Sequence, residues 1–318
     1  MSPTGWLDIH GHFNVPQTPE EAHRTLEAFH KVQFLAKEPW MWDASSILEY
    51  LDRAGVQMQM LSSIPHDHNK LRLSNDYGLS IVQRYPNRFG LLLALPTDNT
   101  QACLDEINRS ADFVPEVDGF AVSTVYRGVR LSDPLLEPVW QELNKRQAVV
   151  FVHPDATASP SLGRPSPVIE VAFDTTRTVV DMLYKGVFRR YLDIKFVLAH
   201  CGGALPALSG RLELLGAESW VPNPENITSH EIQLQLSRLY VDTAAAAKTG
   251  LEPAIKMVGE EKYVYGADCG VPCSTIITME KNRMAVLEIE RKLGLEGKVG
   301  INGWALFPSA SKRVECAN

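Results

Sequence analysis

The 318-residue chain reads as a single (β/α)8 barrel domain, an α/β fold spanning residues 1–318. Three observations predict it. Short apolar runs alternate with amphipathic stretches of helical spacing, the pattern of a parallel sheet with helices packed on it. The runs are apolar throughout, as strands covered on both faces are. His10, His12, His153, His200 and Asp268 each follow directly on such a run, at the strand end where a barrel gathers its chemistry. An open doubly wound sheet is the alternative topology.

The strands are expected at residues 5–10, 57–64, 89–95, 119–125, 148–153, 195–200, 239–243 and 263–267. Helices are expected over 44–54, 71–85, 99–111, 133–146, 168–186, 204–215, 250–258 and 274–293. In the first helix Ile47, Leu48, Leu51 and Ala54 keep helical spacing, and Gly55 ends it. The second stops ahead of Pro86. Asp133 is placed to cap the fourth, with Pro134 at its first position. Neither a domain linker nor an internal repeat beyond the βα rhythm is visible. The longest irregular stretch, residues 14–41, follows the first strand and carries Pro16, Pro19 and Pro39. An insertion there would lie over the barrel mouth as a lid. Its Trp40 and Trp42 either line a pocket for a flat substrate or pack the loop onto the barrel. Residues 155–167 and 220–229 also read as loops.

Composition narrows the function. The formal net charge is −7 and the cations are scattered, which argues against a nucleic-acid surface. No stretch approaches the ~20 apolar residues of a membrane span. Cys103, Cys201, Cys269, Cys273 and Cys316 form no CxxC pair. With no signal peptide recognised, they suggest a reducing, cytoplasmic setting.

The polar strand ends carry the chemistry. His10 and His12 are two apart at the end of the first strand, so both imidazoles can face the barrel mouth. Such a pair alone is a weak signal. It gains force because His153, His200 and Asp268 close the fifth, sixth and eighth strands, whose tips converge around a barrel axis. Each could instead be a satisfied buried polar group; five at the same strand ends argue for a metalloenzyme. A metal-free binding module would need that convergence to be coincidence. Asp242 ends the seventh strand and is placed either to orient His200 or as a turn aspartate.

The stretches DIHGHF, RLSNDYGLSIVQRYPNRFGLLLALP, VFVHP, LAHCGGALP, YVDTA, YGAD and INGWALFP run through nearly the whole chain. In order and spacing they resemble the amidohydrolase superfamily, and within it the decarboxylase branch related to aminocarboxymuconate-semialdehyde decarboxylase. The resemblance implies one divalent cation, Zn2+ or Mn2+, held by His10, His12, His153 and Asp268, with His200 as acid/base group. Binuclear members carry a carbamylated lysine on the fourth strand, and GFAVSTV has none. Arg211 falls where the related decarboxylase reaches a substrate carboxylate across a dimer interface, which implies a homodimer. A guanidinium fork suits a carboxylate; the other role for Arg211 is a surface salt bridge.

The expected activity is non-oxidative decarboxylation of a small aromatic or unsaturated carboxylic acid of hydroxybenzoate type. Chelation of the substrate by the metal would fix the ring while Asp268 protonates the ring carbon before carbon dioxide leaves. The alternative is a lactonase or amidohydrolase using a metal-activated water, with His200 as base. His66 and His68 repeat the two-residue spacing after the second strand and read mainly as solvated loop residues. His23, His30 and His230 read as surface groups. Cys269 and Cys273 stand where relatives carry a proline and an aromatic residue, and read as small apolar fillers.

Overall fold

The structure is a computed structural model that describes residues 3–113, 116–159 and 161–317. Pro160, within the loop expected over 155–167, lies outside the described residues. Seven parallel strands form one sheet: β1 (Trp6–His12), β2 (Val56–Ser62), β3 (Phe89–Ala94), β4 (Val117–Ser123), β7 (Val149–His153), β8 (Lys195–Leu198) and β9 (Tyr240–Val241). Each pairs with the next along the chain. Between β4 and β7 a small antiparallel hairpin, β5 (Val125–Tyr126) and β6 (Val129–Arg130), stands apart from the sheet.

The eighth expected strand differs from a ladder strand. The segment of residues 263–269 runs alongside its neighbours but is joined to them only at intervals. Val241 N donates to Lys262 O at 3.0 Å and Val264 N to Val241 O at 2.9 Å. On the other side Ile9 N donates to Tyr265 O at 2.9 Å, His12 N to Cys269 O at 2.7 Å and Cys269 N to His10 O at 3.2 Å. The sheet therefore closes on itself, and an open doubly wound sheet is excluded. Side chains explain the interrupted ladder: Gly266 N donates to Thr243 Oγ1 and Ala267 N to Asp8 Oδ1. Those amides are satisfied without a strand partner.

Other expected boundaries shift for local reasons. The sixth strand stops at Leu198, because His200 and Cys201 take left-handed φ values of 57° and 55°. Residues 14–41 are not wholly irregular: Pro19–Lys31 is a helix. Thr18 and Glu21 close a capping box on it, and Pro19 starts it instead of breaking it. Only Ala22 of that helix is buried, so its apolar periodicity was too sparse to read. Helices Ser229–Leu236, Lys298–Leu306 and Pro308–Ala317 were also not anticipated.

Two clusters make up most of the core. Residues such as Leu91, Leu93, Val150, Val152 and Phe196 pack beneath the surrounding helices. Met58, Met60, Leu92, Ala121, Phe151, Val197 and Val264 form a second cluster with Phe307, Ala310 and Val314 of the last helices. The alternation between clusters along each strand is that of a barrel wall with a filled interior. Asn75, from the SNDYG stretch, is structural: its side chain donates to Ala94 O at 3.0 Å and accepts from Ala94 N at 2.9 Å, pinning helix His68–Arg84 to β3.

Arg313 anchors the final helix through a two-pronged pair with Asp118 at 2.9 and 2.7 Å. The Asp118 side chain is fully buried. Truncating one partner of a buried pair strands the other charge, at a cost of about 3–5 kcal/mol. Arg313→Ala should therefore lower unfolding stability by about that amount in a denaturant titration. A loss below about 1 kcal/mol would show that the pair does not hold the helix in place.

Candidate metal centre

β1 delivers His10 and His12, β7 ends on His153, a turn after β8 presents His200, and the closing segment brings Asp268. The sequence-expected groups do converge. His10, His153, His200 and Asp268 each place one donor atom within 4.8 Å of the others. His12 belongs to the same cluster: its Nε2 is 3.0 Å from His10 Nε2 and 3.3 Å from Asp268 Oδ1. His10 Nε2 lies 3.4 Å from that oxygen. His200, expected to stand apart from the ion, also points a ring nitrogen into the group, 3.9 Å from Asp268 Oδ2.

The pattern of lone pairs fits a cation. His10 Nδ1 donates to Asp242 Oδ2 at 2.5 Å, so its Nε2 carries a lone pair when the ring is neutral. His12 Nδ1 faces the carbonyl of Ser62 at 3.4 Å, a contact that only an N–H can favour. Two Nε2 lone pairs then face each other at 3.0 Å, which is repulsive unless a positive centre lies between them. Donor atoms about 2.1 Å from a common ion stand roughly 3.0–3.4 Å apart for right-angle to tetrahedral geometry. The observed 3.0, 3.3 and 3.4 Å separations match.

Electrostatics favours the ligand forms. Burial holds His10 below the usual imidazole range, and burial with the neighbouring rings holds His153 well below it. Burial alone would raise Asp268, yet the facing imidazoles of His10, His12 and His200 keep its carboxyl well below the carboxylate range. For His200 burial works against the imidazolium, but Asp268 outweighs it and raises the ring. His200 and Asp268 both sit at left-handed φ, 57° and 58°, strain of the sort that clusters at functional sites.

A cavity of about 1490 Å³ opens over the cluster and is lined by His12, His153, His200 and Asp268. Helix Pro19–Lys31 contributes Glu21, Arg24, Thr25, Ala28 and Phe29 to its wall, one face at helical spacing. His66 also lines it, 3.7 Å from Asp155, while His68 pairs with Asp98 at 2.7 Å.

The expected roles of Asp242, Trp40 and Trp42 are corrected. Asp242 orients His10, not His200; its Oδ1 accepts from Cys201 N at 3.2 Å and Ala244 N at 3.0 Å. Trp42 is buried edge-on against Phe13 and Tyr77, and neither Trp40 nor Trp42 lines the cavity. Arg211 is exposed on helix Leu205–Leu215, away from the cavity wall of its own chain. Cys269 is buried, which pushes its thiol up to about 12 and leaves it inert at neutral pH. Cys273 lines the cavity. Sequence reasoning missed Asp8, which is fully buried and accepts from His10 N at 2.9 Å, Gln59 Nε2 at 2.7 Å and Ala267 N at 3.0 Å. Burial pushes its carboxyl up to about 6 against those bonds. An acid inside the apolar run WLDIH was the available signal.

Comparison with known proteins agrees. The family model described as amidohydrolase matches residues 7–296. The decarboxylase macB of Penicillium terrestre is 28% identical over 86% of each chain. The 6-methylsalicylic acid decarboxylase acuB of Aspergillus aculeatus is 30% identical over 62% of each. Among solved structures, a dihydroxybenzoic acid decarboxylase from Polaromonas sp. JS666 superimposes with a TM-score of 0.75 at 18% identity, covering 96% of this chain and 97% of that one. No helix of the described residues is long and apolar enough to cross a membrane.

The hydrogen bond from His10 to Asp242 fixes which ring nitrogen faces the cluster, and such supporting carboxylates typically carry 10–100-fold in metal affinity. Asp242→Asn should weaken Zn2+ or Mn2+ binding by roughly that factor in a chelator competition. His10→Ala and Asp268→Asn should leave the purified protein largely metal-free by elemental analysis. Undiminished metal in both would remove these residues from the ligand set.

Proposed function

The chain belongs to the amidohydrolase family, and we propose that within it the protein is a metal-dependent, non-oxidative decarboxylase of a small aromatic or unsaturated carboxylic acid, hydroxybenzoate-like in type. The observation that carries this is the convergence of His10, His12, His153 and Asp268 with ligand-like spacing beneath a roomy cavity. These four would hold a single Zn2+ or Mn2+. The decarboxylases among its relatives, one of them acting on 6-methylsalicylic acid, support the reaction class.

The cavity wall favours an acid. Arg24, Lys70, Lys248 and Lys281 line it, and none has an ion pair among the described residues. The acids there are engaged: Glu21 caps its helix, Asp67 caps helix His68–Arg84 and Asp155 holds Thr157. Those four cations are left to meet a carboxylate at the mouth. Helix Pro19–Lys31, with its single buried residue, would serve as the lid.

When bound, the metal would act as a Lewis acid that neutralises charge on the substrate's oxygens. The chain's own groups do the rest. His200 would be the proton carrier, because it lines the cavity with its Nε2 3.9 Å from Asp268 Oδ2, beyond hydrogen-bond reach, whereas Asp268 has both oxygens occupied. It would deliver a proton to the ring carbon bearing the carboxylate. As that C–H bond forms, the carbon–carbon bond to the carboxylate breaks, and its electron pair stays with the ring as carbon dioxide leaves. Arg211, exposed, would meet the substrate only across a homodimer. Five free cysteines accord with a reducing cytoplasmic setting.

Incubation with 6-methylsalicylate, dihydroxybenzoates and aryl lactones should release carbon dioxide from at least one acid. Lactone opening without any gas would replace this reading by hydrolysis. His200→Ala should cut turnover by about 10²–10⁴-fold and leave the metal content unchanged. Wild-type turnover in that variant would take His200 out of the reaction.

A further inference from the structure

Asp268 has two neighbours competing for its outer oxygen. Oδ1 faces the ligand cluster, 3.4 Å from His10 Nε2 and 3.3 Å from His12 Nε2. Oδ2 accepts from Ser274 Oγ at 3.1 Å, and beyond hydrogen-bond reach, at 3.9 Å, stands His200 Nε2. A carboxylate turns easily about its terminal torsion, which is broad and two-fold. What selects the observed orientation is therefore the donor that reaches Oδ2.

Ser274 is built to be that donor. Its amide donates to Val271 O at 3.2 Å, closing a turn, and the next residue, Thr275, caps helix Ile276–Leu293. At the other end of the loop, Cys269 is fastened to β1 by two backbone bonds. Gly270, at φ 91°, passes so near His12 that a Cβ would come within 2.0 Å of its carbonyl oxygen. The loop from 268 to 275 thus has little freedom, and the hydroxyl meets Oδ2 from a fixed point.

We propose that Ser274 is a positioning residue of the metal centre, whose hydroxyl holds the Asp268 carboxylate with Oδ1 toward the ion and Oδ2 away from His200. Without that bond the His200 imidazole, 3.9 Å away, is left facing Oδ2. Rotation to meet it draws Oδ1 off its mark and ties up the proton carrier. The inference rests on the decarboxylase reading only for its catalytic consequence; the geometric claim stands on the ligand set.

The test uses Co2+ in the full-length protein, because its visible absorption reports the angles between ligands without any substrate. Ser274→Val and Ser274→Thr are nearly isosteric and differ in the hydroxyl. The threonine protein should keep the wild-type bands and Co2+ affinity. The valine protein should show shifted bands and affinity lower by about 10-fold, a typical loss for a supporting hydrogen bond. Decarboxylation by the Val variant should fall in kcat with KM little changed, and Thr should restore it. Identical spectra and affinities for the Val and Thr proteins would overturn the proposal. A wild-type protein that releases no carbon dioxide from any acid would overturn the decarboxylase reading instead, leaving the cobalt comparison to decide Ser274. Ser274→Ala serves as a third measurement should the Val protein not fold, with the same shift expected against Thr.

Discussion

The join between β1 and residues 263–269 is the constraint on which the rest of this protein depends. It brings together groups that are more than 250 residues apart in sequence, as the bond from Ala267 N to Asp8 Oδ1 spans 259. Two backbone bonds between Cys269 and the pair His10 and His12 set Asp268 beside both imidazoles in one step. Were the sheet open at this edge, the remaining ligands would still line up along β1, β7 and β8, but the single anionic ligand would be missing. Closure of the barrel and assembly of the centre are thus one event. That is why buried polar side chains, Asp8 and Thr243, occupy the seam where a plain ladder would otherwise run.

The centre is a place where folding works against itself. Three carboxylates, Asp8, Asp242 and Asp268, lie almost fully buried within the same strand ends. His200, Cys201 and Asp268 carry left-handed backbone angles that cost about 1–3 kcal/mol each. Lone pairs of His10 and His12 confront each other across 3.0 Å. The hydrophobic interior of the barrel, sealed below by Phe307, Ala310 and Val314, holds this arrangement in place. A divalent cation would relieve the largest of these repulsions, so occupancy should stabilise the native fold by mass action as any ligand of the folded state does. Catalytic competence and tight folding would then be coupled through the bound cation.

Much of this was legible in the sequence. The (β/α) rhythm was visible because both faces of each strand are covered and the runs are apolar throughout. His10, His12, His153, His200 and Asp268 were found because each ends such a run. What stayed hidden depends on partners far along the chain. Nothing local distinguishes a carboxylate that supports His10 from one that supports His200 or simply closes a turn, so the sequence leaves the partner of Asp242 open. Trp42 looked like a pocket residue because its loop did; Phe13 and Tyr77, which bury it, lie on other elements. Helix Pro19–Lys31 escapes because a helix with one buried residue writes almost no periodicity.

That same weak attachment has a functional side. The face of the helix that carries Arg24, Thr25, Ala28 and Phe29 lines the cavity, while most of the remainder is exposed. A segment held by so few buried contacts opens at low cost. At about 1490 Å³ the cavity is larger than the ~300–1,000 Å³ of ordinary small-ligand pockets, so a one-ring acid bound at its floor would leave water around it. Protonation of a ring carbon is helped when competing water is excluded and the electrostatics of the site are strengthened. Inward movement of the helix would do both, bringing Phe29 toward the ring and Arg24 toward the anion. On the proposed function, the loose packing of the insertion and the excess volume of the cavity would be two aspects of one requirement: a site that admits its acid and is afterwards dry.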